Sequence, residues 1–271
     1  MKDVSMLQDF FIAVETGRNL EDYRQIKENI LIVAPHPDDD VLGVGGYMAS
    51  AAEKKKQVFV VYITDGAGSP RRDKNFPNAQ MVSRREIEAL SALRLLRAKG
   101  GFFLRVNSKE LPAKFVQVKG TLAKILDLLQ PEEVFIPAPY ERHKTHLLCT
   151  QISLEALRAC SIKATHLFGY SIWGNFWGGH KRIIFDITPY IKDKIQAVLA
   201  HETQMAYKNY QQGILGKSNY EAIFWESHEI QRMTFAEIFL DMNILLQNTT
   251  LSLAEFIRQD VEAFINIYLG Q

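Results

Sequence analysis

Four short, mainly apolar runs set the frame of this chain: residues 30–34, 58–63, 102–106 (broken only by Arg105) and 134–137. Each is too short for a helix and lacks the alternation of a half-exposed strand, so each reads as a strand buried on both faces. Helical patterns separate them, at about 40–56, 82–99 and 115–129, and another follows the last run to about residue 159. In the second pattern Ile87, Leu90, Leu93 and Leu96 recur at helical spacing, and Pro131 stops the third. Alternation of this kind predicts an α/β fold, a doubly wound and mostly parallel sheet with helices on both faces and right-handed crossovers. Ligands in such sheets bind beyond the carboxyl ends of the strands.

Bulk properties fit that frame. A chain of 271 residues, 47% hydrophobic, suits one sizeable domain with an appendage. We expect a domain over residues 1–228, opened by a helical or irregular lead-in at 1–28, and a C-terminal helical extension over 229–271 packed on it. Leu7, Phe10, Phe11, Ile12 and Val14 would tie the lead-in to the core. Apolar residues at helical spacing from Thr234 to Leu269 mark the extension, with Ser252 and Glu255 spaced as a capping box. A net charge of +1 gives no electrostatic case for nucleic acid. Two cysteines, Cys149 and Cys160, make neither a disulfide framework nor a thiolate metal site. No apolar run approaches the ~18 residues that span a bilayer. Asp3, Asp9 and Glu15 do not suit a secretory leader. The expectation is a soluble cytoplasmic protein, with a homo-oligomer left open.

Polar groups collect at the strand exits. The first run leads into VAPHPDDDVLGVGG (33–46), which packs His36, Asp38, Asp39 and Asp40 into five residues. The second exits through Thr64-Asp65-Gly66-Ala67-Gly68 and the fourth through Tyr140-Glu141-Arg142-His143-Lys144-Thr145-His146. A turn opening a helix can aim His36 and Asp39 at one point, and His146 can join them from another strand exit. Two histidines and a carboxylate form a known catalytic zinc set with water in the open position. Such a metal lowers the pKa of that water and polarises a carbonyl. Ferrous iron or another divalent ion suits the same set. Asp38, beside the ligands, is the natural general base. His143 would stay off the metal, donating to a developing oxyanion or protonating a leaving amine. Asp40 falls to the helix start. The plain alternatives are an acid-rich helix cap for the first cluster and a solvated helix start for the histidine pair. Their coincidence at two exits of one sheet favours the metal.

With these residues in place, the chain resembles the PIG-L/LmbE-like family of zinc-dependent N-deacetylases. Residues 35–40 followed by Gly45-Gly46 are similar to its AHPDDE-x-x-x-x-GG signature, and residues 64–68 to its T-x-G-E-x-G. Arg85 and Glu88 fall at its R-x-x-E spacing, residues 143–146 resemble its HPDH, and Lys194…His201-x-x-Gln204 its late K…H-x-S-Q element. The likeness covers roughly residues 29–205. It implies a Rossmann-like fold and removal of acetyl groups from an N-acetylated sugar, mostly an N-acetylglucosamine conjugate. His36, Asp39 and His146 would then be metal ligands, Asp38 the base and His143 its electrostatic or acid partner. Arg85 and His201 would contact the substrate. Four positions depart from pattern: Asp40 and Ala67 stand for glutamates, Thr203 for serine, and Thr145 for the aspartate of HPDH. A threonine cannot stabilise an imidazolium by charge.

Other features divide more evenly. The loop of residues 173–180 (WGNFWGGH) reads as a sugar-facing aromatic wall or a partly buried cover, the cover being favoured. His166 and His228 read as structural and Cys149 as core. Arg71, Arg72 and Lys74 sit in a long loop, a possible lid, where solvation is the commoner explanation than an anionic substrate. A nucleotide-binding protein is the main rival in another class, but Met48 stands where G-x-G-x-x-G needs its third glycine. A metal-binding, catalytically weak homologue or partner subunit is the other. No G-x-S-x-G nucleophile elbow is present.

Overall fold

A computed structural model describes residues 5–23, 28–70, 75–162, 166–176, 178–224 and 233–269, with side chains to residue 266. Arg71, Arg72, Lys74, Trp177 and His228 lie outside the described residues. The elements in chain order are α1 (Ser5–Gln8), β1 (Phe11–Ala13), β2 (Asn29–Ala34), α2 (Asp39–Glu53), β3 (Gln57–Thr64), α3 (Asn78–Leu95), β4 (Gly100–Val106) and α4 (Phe115–Leu129). There follow β5 (Glu133–Pro137), α5 (Lys144–Ala159), β6 (His166–Tyr170), β7 (Arg182–Asp186), α6 (Ile191–Leu199), α7 (Glu202–Met205), α8 (Tyr210–Phe224), β8 (Ala236–Asp241), α9 (Ile244–Gln247) and α10 (Leu253–Leu269).

The strands form one eight-stranded sheet in the order β1-β4-β3-β2-β5-β6-β8-β7. The five from β4 to β6 are parallel. The edge strand β1 runs antiparallel to β4, and β8 antiparallel to both β6 and β7. Alternation along the strands fills two cores. Leu31, Val33, Phe59 and Val61 face α4, α5 and α10, while Ile30, Ile32, Val58 and Val60 face α2, α3 and α6. Both faces are covered, which is why these strands read as continuous apolar runs. The doubly wound, Rossmann-like architecture expected from the sequence is the one found.

Several details differ from the sequence reading. Residues 11–13 of the lead-in form an edge strand. Residues 236–241 are a strand rather than helix; all but Asp241 are buried, and a short apolar run hides its period. The late Lys194…His201-x-x-Gln204 element is split between two helices, α6 and α7, at Ala200 and His201. Helix α8 was not foreseen, since Gly213 and Gly216 weaken its propensity. Ile87, placed in the core by spacing, is 64% exposed. The capping box of α10 is present: Ser252 Oγ accepts from the Glu255 amide (3.1 Å), and Glu255 Oε2 accepts from the Ser252 amide (2.8 Å). Among the described residues no helix is long and apolar enough to cross a membrane.

The glycines of α2 are explained by close packing. A Cβ on Gly43 would lie 2.3 Å from the Tyr170 ring, and one on Gly46 would lie 2.5 Å from Ile187. Beside Gly45 runs the stem of Lys194, whose ammonium donates to Glu237 of β8 at 2.7 Å. Glu237 also accepts the amides of Gly46 and Tyr47, both at 2.8 Å. The lysine of the late motif is thus a buried strut between α6, α2 and β8.

Candidate metal centre at the sheet switch point

Strands β2 and β5 lie side by side, yet β2 leads through α2 to β3 on one side and β5 through α5 to β6 on the other. The crevice outside their carboxyl ends is the switch point at which such sheets bind ligands. A tight turn closes the exit of β2, with the Asp38 and Asp39 amides donating to His36 carbonyl oxygen at 2.8 and 3.2 Å. Asp39 opens α2, and its Oδ2 accepts the His36 amide at 2.9 Å. At the exit of β5, His143 caps α5, and the His146 amide donates to its carbonyl at 3.0 Å.

These turns bring three side-chain atoms together. Asp39 Oδ2 lies 2.9 Å from His36 Nδ1 and 3.2 Å from His146 Nε2, and the two nitrogens are 3.3 Å apart. A tetrahedral ion with ligand bonds of about 2.0–2.1 Å spaces its ligand atoms by roughly 3.3–3.4 Å. A second set, His36, His143 and His146, keeps its ligand atoms within 4.8 Å of one another. The tighter triangle fits a small ion better, because 4.8 Å exceeds any ligand spacing of a tetrahedral zinc site. His143 can close on the same point only by moving.

Charge supports the fit. Burial works against the ionised Asp39, yet His146 and His36 hold its carboxyl well below the usual range. Burial also opposes protonated His146, but Asp39 and Glu141 outweigh it and push the ring up to about 10. Two fully buried imidazole and carboxylate groups thus trade a proton where a cation can stand. Around them three buried carboxylates, Asp38, Asp39 and Glu141, face one paired guanidinium, Arg85. A divalent ion that displaced the His146 proton would balance the three carboxylates together with Arg85.

The neighbours have defined tasks. Asp38 caps α2 and bonds through Oδ1 to Arg85 Nη2 at 2.8 Å. Burial raises its pKa against the opposing pull of Arg85. Arg85 also donates to Ser69 Oγ (2.6 Å) and to the carbonyl of Gly66. Gly66 has φ +65°, and a Cβ there would lie 2.6 Å from the guanidinium. One helical turn on, Glu88 accepts from the Thr203 amide (2.9 Å) and hydroxyl (2.7 Å). The R-x-x-E pair of α3 therefore braces the base on one side and the late motif on the other. Arg85 is held by Asp38, not projected freely at a ligand. His143 lines the cavity with no side-chain hydrogen bond among the described residues, and burial together with His36 and His146 lowers its pKa. Thr145 supplies no carboxylate to it.

Asp40 lies in the first turn of α2, as expected, and is fully buried there: Tyr62 Oη donates to it at 2.8 Å, and burial pushes its pKa up to about 7. His201 is buried, and neither ring nitrogen has a partner. Burial and Arg85 push its pKa down to about 3, so the ring is neutral. It does not line the cavity, whereas Gln204 does. His180 stacks on Phe256 with centroids 4.1 Å apart and bonds its carbonyl at 2.9 Å, as a cover would. Cys149 is core.

Sequence reasoning passed over Glu141. Its fully buried carboxylate stands 3.4 Å from His146 Nδ1 and accepts the amides of Ile172 and Trp173. It orients the ring that faces the triangle, the usual task of a carboxylate behind a ligating histidine. Its place in the β5 exit, two residues before His143, was the available signal. Two corners of the triangle, His36 and Asp39, line a cavity of about 550 Å³, with His146 buried behind them.

Fold and site together define an α/β protein with a histidine–carboxylate cluster, able to hold a metal, at its switch point. Comparisons with known proteins agree. The family profile described as GlcNAc-PI de-N-acetylase (PIG-L) matches residues 31–157. Diacetylchitobiose deacetylase of Thermococcus kodakarensis is 26% identical over 196 residues, covering 68% of this chain and 72% of its own. The structure of N,N'-diacetylchitobiose deacetylase from Pyrococcus horikoshii superposes with a TM-score of 0.70 at 22% identity, covering 85% of this chain and 89% of that one. GalB, a 4-carboxy-2-hydroxymuconate hydratase from Pseudomonas putida KT2440, superposes with 0.66 at 18% identity, covering 79% and 96%. Over residues 31–157 the chain is similar to the PIG-L/LmbE-like deacetylase family. The hydratase shows that the fold alone does not set the reaction.

Proposed function

We propose that this protein is a metal-dependent N-deacetylase acting on an N-acetylated amino sugar. The observation that carries the reading is the triangle of Asp39 Oδ2, His36 Nδ1 and His146 Nε2, with Asp38 beside it on the cavity wall. These three residues would hold zinc, or ferrous iron in its place. Such an ion supplies Lewis acidity, activating water and polarising the acetyl carbonyl.

The chain's own residues do the rest. Asp38, its carboxylate fixed by Arg85 and its basicity raised by burial, takes a proton from the attacking water. His143, on the histidine side of the cavity, hydrogen-bonds the oxygen that gains charge and passes a proton to the departing amine. Its lowered pKa leaves the ring neutral at pH 7, a hydrogen-bond donor that stabilises charge weakly, so it must first take up the proton that Asp38 draws from water before it can give one to the amine. That feature, with Thr145 nearby, also favours a second reading, a homologue that keeps the metal and turns over slowly. Arg85 acts on substrate chiefly through Asp38, and His201 from behind Arg85.

The test is acetate and free-amine release from N-acetylglucosamine and N,N'-diacetylchitobiose by zinc-loaded protein. The reading predicts release abolished by Asp38→Asn with metal retained. Metal binding with no release from either compound supports the second reading.

A further inference from the structure

The cavity mouth is built differently from its floor. Arg142, next to His143, and Lys208, after α7, both line the cavity and are exposed. Among the described residues neither pairs with a carboxylate, whereas Arg84 pairs with Glu202 at 2.8 Å. Both lining carboxylates, Asp38 and Asp39, are committed deeper, to Arg85 and the histidines. Lys208 Nζ is held 4.7 Å over the Trp173 ring and 5.3 Å over the Tyr207 ring. Tyr210 meets Trp173 edge to face at 6.0 Å. All three rings line the cavity. The rings fix the ammonium in place without neutralising it, since cation–π attraction leaves the charge available.

A neutral ligand gains little from two uncompensated cations, whereas an anionic group gains a charge-assisted hydrogen bond from each, strengthened where the rings exclude water. We infer that the mouth recognises an anionic substituent, phosphate or carboxylate, on the sugar whose N-acetyl group reaches the floor. Arg142 and Lys208 clasp the anion, and Trp173 and Tyr210 flank the sugar ring. Trp173 thereby serves as a ligand wall, while the far end of its loop serves as the cover. This inference rests on the N-deacetylase reading for the identity of the sugar but not for the charge preference.

The test measures binding apart from turnover. Chelator-treated protein is titrated by calorimetry with N-acetylglucosamine, N-acetylglucosamine 1-phosphate and N-acetylmuramic acid, the last two distinguishing phosphate from carboxylate. At least one anion should bind about tenfold tighter than the neutral sugar, weaken as salt rises, and lose its advantage in Arg142→Gln/Lys208→Gln. Lys208→Glu should reverse the preference. Equal affinity for neutral and anionic sugars, or an anion preference that survives the double substitution, overturns the inference. Acetate release is then followed with zinc. Selective binding without release sinks the deacetylase reading and leaves this one standing; release without anion preference does the opposite.

Discussion

Two buried charge clusters touch α2, and they are built to opposite rules. Beside Gly45 and Gly46, Lys194 meets Glu237 at 2.7 Å, and Glu237 takes two backbone amides besides. Every charge has its opposite and the carboxylate is fully bonded. At the N-terminus of α2, carboxylates and imidazoles instead point their ligand atoms at one another across 2.9–3.3 Å. The first arrangement completes itself and serves packing. The second is spaced as the ligands of a cation would be, and so suits chemistry. Burial alone does not separate them, since Lys194, Glu237 and Asp39 are each 2% exposed.

Substitutions should separate the two clusters. Asp38→Asn removes the base and should lower kcat by about 10²–10⁴-fold, with zinc content and melting temperature near wild type. Lys194→Met strands a buried carboxylate and should cost about 3–5 kcal/mol in denaturant unfolding, with kcat of the folded fraction little changed. Adding Glu237→Gln should recover part of that loss. A Lys194 variant that folds normally but fails to turn over would break the comparison.

His201 gives a pH test with a fixed sign. Its folded-state pKa near 3 lies below the unfolded value of about 6.5. The stability from keeping it neutral is therefore present above about pH 6.5 and is lost as pH falls toward 3. His201→Gln should flatten that acid limb by roughly 2–4 kcal/mol relative to wild type between pH 7 and 4, read by denaturant midpoints. A smaller effect is expected for Gly46→Ala, whose Cβ would lie 2.5 Å from Ile187. It should cost about 1–3 kcal/mol, eased by Ile187→Val. Smallest is Ser252→Ala, far from both clusters, at about 1 kcal/mol through the lost cap of α10.

The comparison also shows what a sequence can carry. Strands β2 to β5 were legible because burial on both faces makes their centres apolar. His36, Asp39 and His146 were legible because two local turns aim them at one crevice. Glu237 was not, since its partner Lys194 lies 43 positions away and β8 was hidden in an apolar tail. Glu141 stood in plain view, but its task depends on where α5 carries His146. Asp40 was legible as part of the helix start, but its burial was not, because nothing local announces Tyr62 from β3. The basic mouth needed Lys208 and Trp173 together, and only the fold joins them.

The central claim is that the triangle holds a divalent ion. Zinc titrated into chelator-treated protein, with bound metal counted and its coordination read by X-ray absorption, tests it directly. The account predicts one ion with nitrogen and oxygen ligands and no sulfur, kept by Asp38→Asn and lost in Asp39→Ala and His146→Ala. A wild-type protein that binds no ion, or one whose ion survives both of those substitutions, would contradict it.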